Sequence, residues 1–111
     1  MLNQVVLVGR LTSDLEINET ESGKKVVSLA LAVPRSYKNA DGEYDTDFLD
    51  VVLWNTIAEN TVEYCRKGDM VGIKGRLQAS TYETDDGSKR KVTEVVAERV
   101  TFLSSKPKDE W

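Results

Sequence analysis

The sequence predicts an all-β domain of five strands with one short helix between the third and fourth. Three observations predict it. Residues 47–55, DFLDVVLWN, alternate with the two-residue period of a strand. Further apolar or alternating runs lie at residues 5–11, 26–33, 71–82 and 92–103, separated by segments rich in Gly, Asp and Ser. Only the stretch from Thr56 to Gly68 carries helical spacing. A chain of 111 residues is long enough for one core and one domain, expected over residues 1–103 with a short polar tail at 104–111.

The first strand, VVLVGRL at residues 5–11, is apolar between polar flanks, and Gly9 marks a bend or a close backbone approach. Residues 12–23 are polar and acidic and end in the Ser22-Gly23 turn. In the second strand Val27, Leu29, Leu31 and Val33 face the core, while Ser28, Ala30 and Ala32 face outward. Those small outward residues leave room for something to approach the sheet. Pro34 ends the strand. Residues 35–46 are expected to form a long hairpin loop turning at Asp41-Gly42. Its first half holds Tyr37 between Arg35 and Lys38, an aromatic among cations, and its far side is acidic at Asp41, Glu43, Asp45 and Asp47.

In the third strand Leu49, Val51 and Leu53 point inward, and Phe48, Asp50, Val52 and Trp54 point outward. At about 3.3 Å per residue the two outward rings lie roughly 20 Å apart. That spacing suits platforms for a run of stacked bases. The alternative is a second layer of protein covering the rings, as in a sandwich. The helix follows, with Thr56 to Glu59 at capping-box spacing and Asn55 as the other candidate cap. Ile57, Ala58, Thr61, Val62 and Cys65 form its apolar stripe, Arg66 and Lys67 occupy its last turn, and Gly68 stops it.

The fourth strand turns Val71, Ile73, Leu77 and Ala79 toward the core, and Lys74, Arg76, Gln78, Ser80 and Tyr82 outward. A second hairpin loop covers residues 83–91, with Lys89-Arg90-Lys91 on its returning side. The last strand alternates imperfectly, which predicts a bulge or a covered second face. The order β-β-β-α-β-β matches the oligonucleotide/oligosaccharide-binding (OB) barrel.

Composition narrows the function. The chain has no histidine and one cysteine, so the usual neutral-pH base, the commonest metal ligand and a Cys–His pair are missing. No phosphate loop, dinucleotide fingerprint or zinc spacing occurs, and neither an enzyme nor a metal or other cofactor is expected. A single cysteine and no apolar run of membrane-span length point to a cytoplasmic protein with no membrane partner. The net charge of −4 runs against the basic footprint of a nucleic-acid binder, although the field over one face matters more than the total.

Taken together, NQVVLVGRL at residues 3–11, LALAVPRSYKNADGE at 29–43, DFLDVVLWNTIAE at 47–59, EYCRKGDMVGIKGRL at 63–77 and TEVVAERVTFL at 93–103 resemble the bacterial and phage single-stranded DNA-binding proteins. The resemblance implies base stacking on Tyr37, Phe48, Trp54 and Tyr82, and phosphate contacts at Lys38 and Lys67. Arg35, Lys74, Arg76, Lys89, Arg90 and Lys91 are further candidate contacts to single-stranded DNA. It also implies a homotetramer, a dimer of dimers in which the first strands pair, and replication or recombination proteins as partners. Three departures are visible. Tryptophans frequent in the family are replaced at Tyr37, Phe48 and Tyr82. Basic residues of some relatives give way to Gln78, Ser80 and Thr81, with Lys74 and Arg76 as substitutes and Asp50 between two rings. The long linker with an acidic tip is missing, although Asp109-Glu110-Trp111 faintly imitates one. The competing expectation is an OB-fold protein-interaction module, a primosome or phage-assembly scaffold, with weak DNA affinity.

Overall fold

The computed structural model describes residues 1–104, and the expected tail beyond Ser104 lies outside them. The elements run β1 (Val5–Leu11), β2 (Asn18–Glu19), β3 (Lys25–Lys38), β4 (Tyr44–Trp54), α1 (Asn55–Tyr64), β5 (Met70–Glu83) and β6 (Lys89–Ser104). Apart from the two-residue β2, which pairs only with the start of β3, this is the expected order.

Five strands close a ring. β1 pairs with β5, β5 with β6, β6 with β4, β4 with β3, and β3 returns to β1. All contacts are antiparallel except β4–β6, which is parallel through Val51↔Val95 and Val52↔Val96. This is the five-stranded OB barrel that the sequence predicts, with α1 between β4 and β5. Gly9 sits where β1 crosses β3: a Cβ there would collide with the carbonyl oxygen of Ala32 and press on Leu31. Close backbone approach, rather than a bend, is why glycine occupies the site.

Alternation places the core correctly. Val27, Leu29, Leu31, Val51, Leu53, Val71 and Ile73 are buried and pack with Val95, Ala97, Ala58 and Cys65. Burial pushes the Cys65 thiol above its ordinary value, as a core filler requires. Three side chains differ in burial from what their side of the strand implies. Val52 is buried although it faces outward, because Ser28 and Val96 flank it in mid-sheet. Leu77 is 46% exposed and Ala79 is exposed, because β5 there has run past the end of its pairing with β1 and no described residue closes over that face.

The expected loops are largely strand. β3 and β4 extend to Lys38 and Tyr44, and only Asn39 to Glu43 turn. Asn39 N–H donates to Glu43 O, and Gly42, at φ 79°, donates to Asn39 O; positive φ is why glycine suits the turn. The β5–β6 hairpin closes in the same pattern between Thr84 and Ser88. The expected bulge in the last strand occurs twice: register shifts leave Leu103 and Glu98 without a β5 partner.

The helix is shorter than its pattern suggested. The capping box does not form, since Trp54 holds the N-cap position without a side-chain bond and Asn55 has φ 53°, a conformation asparagine tolerates. It ends at Tyr64, so Arg66 and Lys67 lie beyond the last turn. Arg66 still serves that terminus from outside, its Nη1 donating to the carbonyls of Val62 at 3.1 Å and Cys65 at 2.9 Å. No helix among the described residues is long and apolar enough to cross a membrane.

Candidate nucleic-acid interface

The outward side of the β3–β4–β6–β5 sheet carries most of the expected rings. Register sets the layout: Ala32 faces Phe48, Ala30 faces Asp50, Ser28 faces Val52 and Val26 faces Trp54. The small residues of β3 therefore form a low floor beside the aromatic row of β4. Phe48 is 65% exposed, whereas Trp54, at the strand end and helix start, is half-buried. Across the barrel the row continues through Val96 and Arg76, then Glu94 and Gln78, Val92 and Ser80, and Arg90 and Tyr82. Tyr82 is 52% exposed on the β5–β6 arm.

Between the rings the surface is polar. A groove of about 320 Å³ is lined by Thr12, Ser28, Ala30, Asp50, Val52 and Glu94. Asp50 and Glu94 are level with each other on adjacent strands, since Val52 is level with Val96. Thr12 Oγ1 is occupied, donating to Ala30 O at 2.7 Å. Arg76 is partly neutralised in its hydrogen bonding by Gln78, whose Oε1 accepts from Nη1 at 2.8 Å.

The other cations separate. Arg90 shares the face of Tyr82, its cross-strand partner, while Lys89 and Lys91 oppose Glu83 and Thr81 on the other face. The basic run is thus two surfaces rather than one. Lys74 stands in a row with Val6 of β1 and Arg99 of β6, outside the aromatic row. Lys67 lies in the turn after α1, its N–H donating to Asp14 Oδ1 at 2.9 Å. Tyr37 is 64% exposed on the β3–β4 arm, and Lys38 holds its Nζ 5.9 Å from the ring centre of Tyr44 on the facing strand.

Arg35 is bound internally. Its Nε and Nη2 donate to the Asp47 carboxylate at 3.0–3.2 Å, and Nη1 lies 3.8 Å from Asp45. This pair holds the Asp47 carboxyl below the usual aspartate value and raises the guanidinium. Asp47 adjoins Phe48 and so points to the opposite face of β4, taking Arg35 with it.

One ring escaped the sequence reading. Tyr44 is 57% exposed and lies four residues before Phe48, on the same face of β4. Extending the alternation backward from Phe48 would have found it; treating residues 35–46 as loop hid it.

Comparison with known proteins accords with this geometry. The single-strand binding protein family model matches residues 2–103. The chain is 48% identical over 98% of its length to single-stranded DNA-binding protein B of Bacillus subtilis (strain 168), covering 96% of that protein. It is 48% identical to single-stranded DNA-binding protein 3 of Listeria innocua over 96% of its length, covering 66% of that relative. A Staphylococcus aureus single-stranded DNA-binding protein 1 is 46% identical over 99% of this chain and 70% of its own length. An OB barrel with an aromatic row on its open sheet face, matched over nearly its whole length, establishes that the chain belongs to the single-strand binding protein family.

Proposed function

We infer that the chain binds single-stranded DNA with little regard to sequence, by stacking bases on rings and neutralising phosphates with lysine and arginine. The observation that carries the reading is the exposed row Tyr44 and Phe48 on β4, beside the small residues Ala30 and Ala32. A flat floor beside exposed rings accepts any base, because every base has a π-face. Tyr37, Tyr82 and the half-buried edge of Trp54 extend the platform, and Lys38, Arg76 and Arg90 are the cations nearest to it by register or arm. Lys67, Lys74, Lys89 and Lys91 would meet phosphates only where the strand leaves that face. Roles in replication, recombination or repair, in the cytoplasm, follow from this activity, with other proteins of those processes as partners.

Assembly is part of the proposal. Val6 is 72% and Val8 50% exposed on β1, and among the described residues positions 5–9 of that strand pair on one side only, with β5. An apolar row on a free strand edge supports pairing with a second copy, and a dimer of such dimers gives the homotetramer.

Titration with oligo(dT), following tryptophan fluorescence, tests the reading. Quenching is expected, with binding far tighter than to duplex and a log–log salt slope of about −0.7 per phosphate neutralised. The net charge of −4 and the outward carboxylates Asp50 and Glu94 favour the second reading, an interaction module. Absence of any binding at low salt would end the DNA-binding reading and leave that module as the alternative.

A further inference from the structure

The β3–β4 arm is weakest at its root. Pro34 pairs with Thr46 and Lys38 pairs with Tyr44, so three residues of β3, from Arg35 to Tyr37, oppose the single residue Asp45. The backbone ladder is interrupted there, and Pro34 has no N–H to donate. Tyr37 lies at the outer end of this break and Lys38 and Tyr44 beyond it, all exposed. An arm attached through a broken ladder would swing, and its rings would have no fixed place relative to Phe48.

A chain of side-chain contacts crosses the break. Asp47, at the barrel rim, takes the fork of Arg35 with three hydrogen bonds of 3.0–3.2 Å. The same guanidinium reaches Asp45 at 3.8 Å. Asp45 Oδ1 accepts from Asn39 Nδ2 at 3.1 Å, and Asn39 Oδ1 accepts from the backbone N–H of Asp41 at 2.9 Å and of Glu43 at 3.0 Å. The path runs unbroken from the rim of the barrel to the tip of the arm. Arginine suits the junction because its planar fork fixes direction as well as charge.

We propose that Arg35 is a positioning residue for single-stranded DNA binding rather than a phosphate contact: with Asp47 and Asp45 it braces the β3–β4 arm so that Tyr37 and Tyr44 stand at fixed distances from Phe48. The proposal rests on the DNA-binding reading above. It differs in consequence from direct contact, in which Asp47 is a competitor that DNA must displace.

The test is an oligo(dT) titration across a salt series on the wild type, Arg35→Gln, Asp47→Asn and the exchanged pair Arg35→Asp/Asp47→Arg, each checked by thermal melting. Bracing predicts that both single variants bind about two- to fivefold more weakly, the range a charged pair of this exposure supports. It also predicts an unchanged salt slope for Arg35→Gln and recovery of at least half the loss in the exchanged pair. A phosphate contact would flatten the slope of Arg35→Gln by about 0.7 and make Asp47→Asn bind more tightly, which overturns the proposal. Wild-type affinity in both single variants overturns it too. A wild type that binds no oligo(dT) sinks the DNA-binding reading itself, a result that none of the variant outcomes resembles.

Discussion

The side-chain amide of Asn3 completes the barrel at a place the backbone does not reach. Its Nδ2 donates to Leu77 O at 2.8 Å and its Oδ1 accepts from Leu77 N–H at 2.9 Å. The regular β1–β5 ladder ends at Val5↔Gly75, so the amide adds one more rung to β5 just where that strand leaves the barrel. Asn3→Ala should lower stability by about 1 kcal/mol and speed amide exchange at Leu77, with little change at Ile73 in the core. Exchange at Leu77 as slow as in the wild type would show that the rung holds nothing.

Rings and core should separate cleanly in β4. Phe48→Ala should weaken oligo(dT) binding by about 1–3 kcal/mol and leave the melting temperature unaltered, since the ring is 65% exposed. Leu53→Ala should instead cost about 2–5 kcal/mol of stability as a core cavity, with DNA affinity retained by the folded fraction. Trp54→Ala should show both effects, because that ring is half-buried and its residue ends β4 at the N-cap of α1.

Gly9→Ala should destabilise by about 1–3 kcal/mol or more, since the new methyl meets backbone at Ala32 and the buried Leu31 side chain. Chemical denaturation with urea measures it. A neutral result would mean that β1 and β3 can separate without loss.

The Asp47 carboxyl should titrate below its ordinary 3.8, because Arg35 hydrogen-bonds to the charged form. The favourable contact is therefore complete above that value and is lost as pH falls through the lower, folded-state midpoint. Carbon-detected NMR titration should find the Asp47 midpoint returned to the ordinary range in Arg35→Gln. A midpoint equally low in that variant would show that Arg35 is not the cause.

Val6→Asp places a charge in the exposed apolar row of β1 without touching the core. Sedimentation at micromolar concentration should give a tetramer for the wild type and smaller species for the variant. A wild-type mass equal to one chain ends the assembly proposal.

Much of this was legible because alternation encodes a face. Leu49, Val51 and Leu53 stand on one side of β4 and Phe48 on the other, and the period says so directly. Alternation does not encode what lies over a face. Val52 is buried between Ser28 and Val96, and Leu77 is bare beyond the end of the barrel, although each was placed on its correct side. Charge was legible as composition but not as pairing: Arg35 reads as a free cation in sequence, and only the fold brings Asp47 to it across the strand pair. Asn18 and Glu19 show no strand pattern at all, because both side chains are exposed and pairing with Lys25 and Val26 alone defines them.

The pairing of β1 with β5 also sets the order in which the molecule is made. Val5 waits for Gly75, and at about 5–20 residues per second of synthesis the two are separated by roughly 4–14 seconds. The β3–β4 hairpin can form within that interval, since its partners are near in sequence, whereas barrel closure is a contact of long sequence range and correspondingly slow. Through that delay only Arg10 and Leu11 of β1 can find partners, on β3, while Val6, Val8 and Gly9 await β5. An apolar strand made before most of the barrel is thus enclosed only when β5, about seventy residues later, has been made.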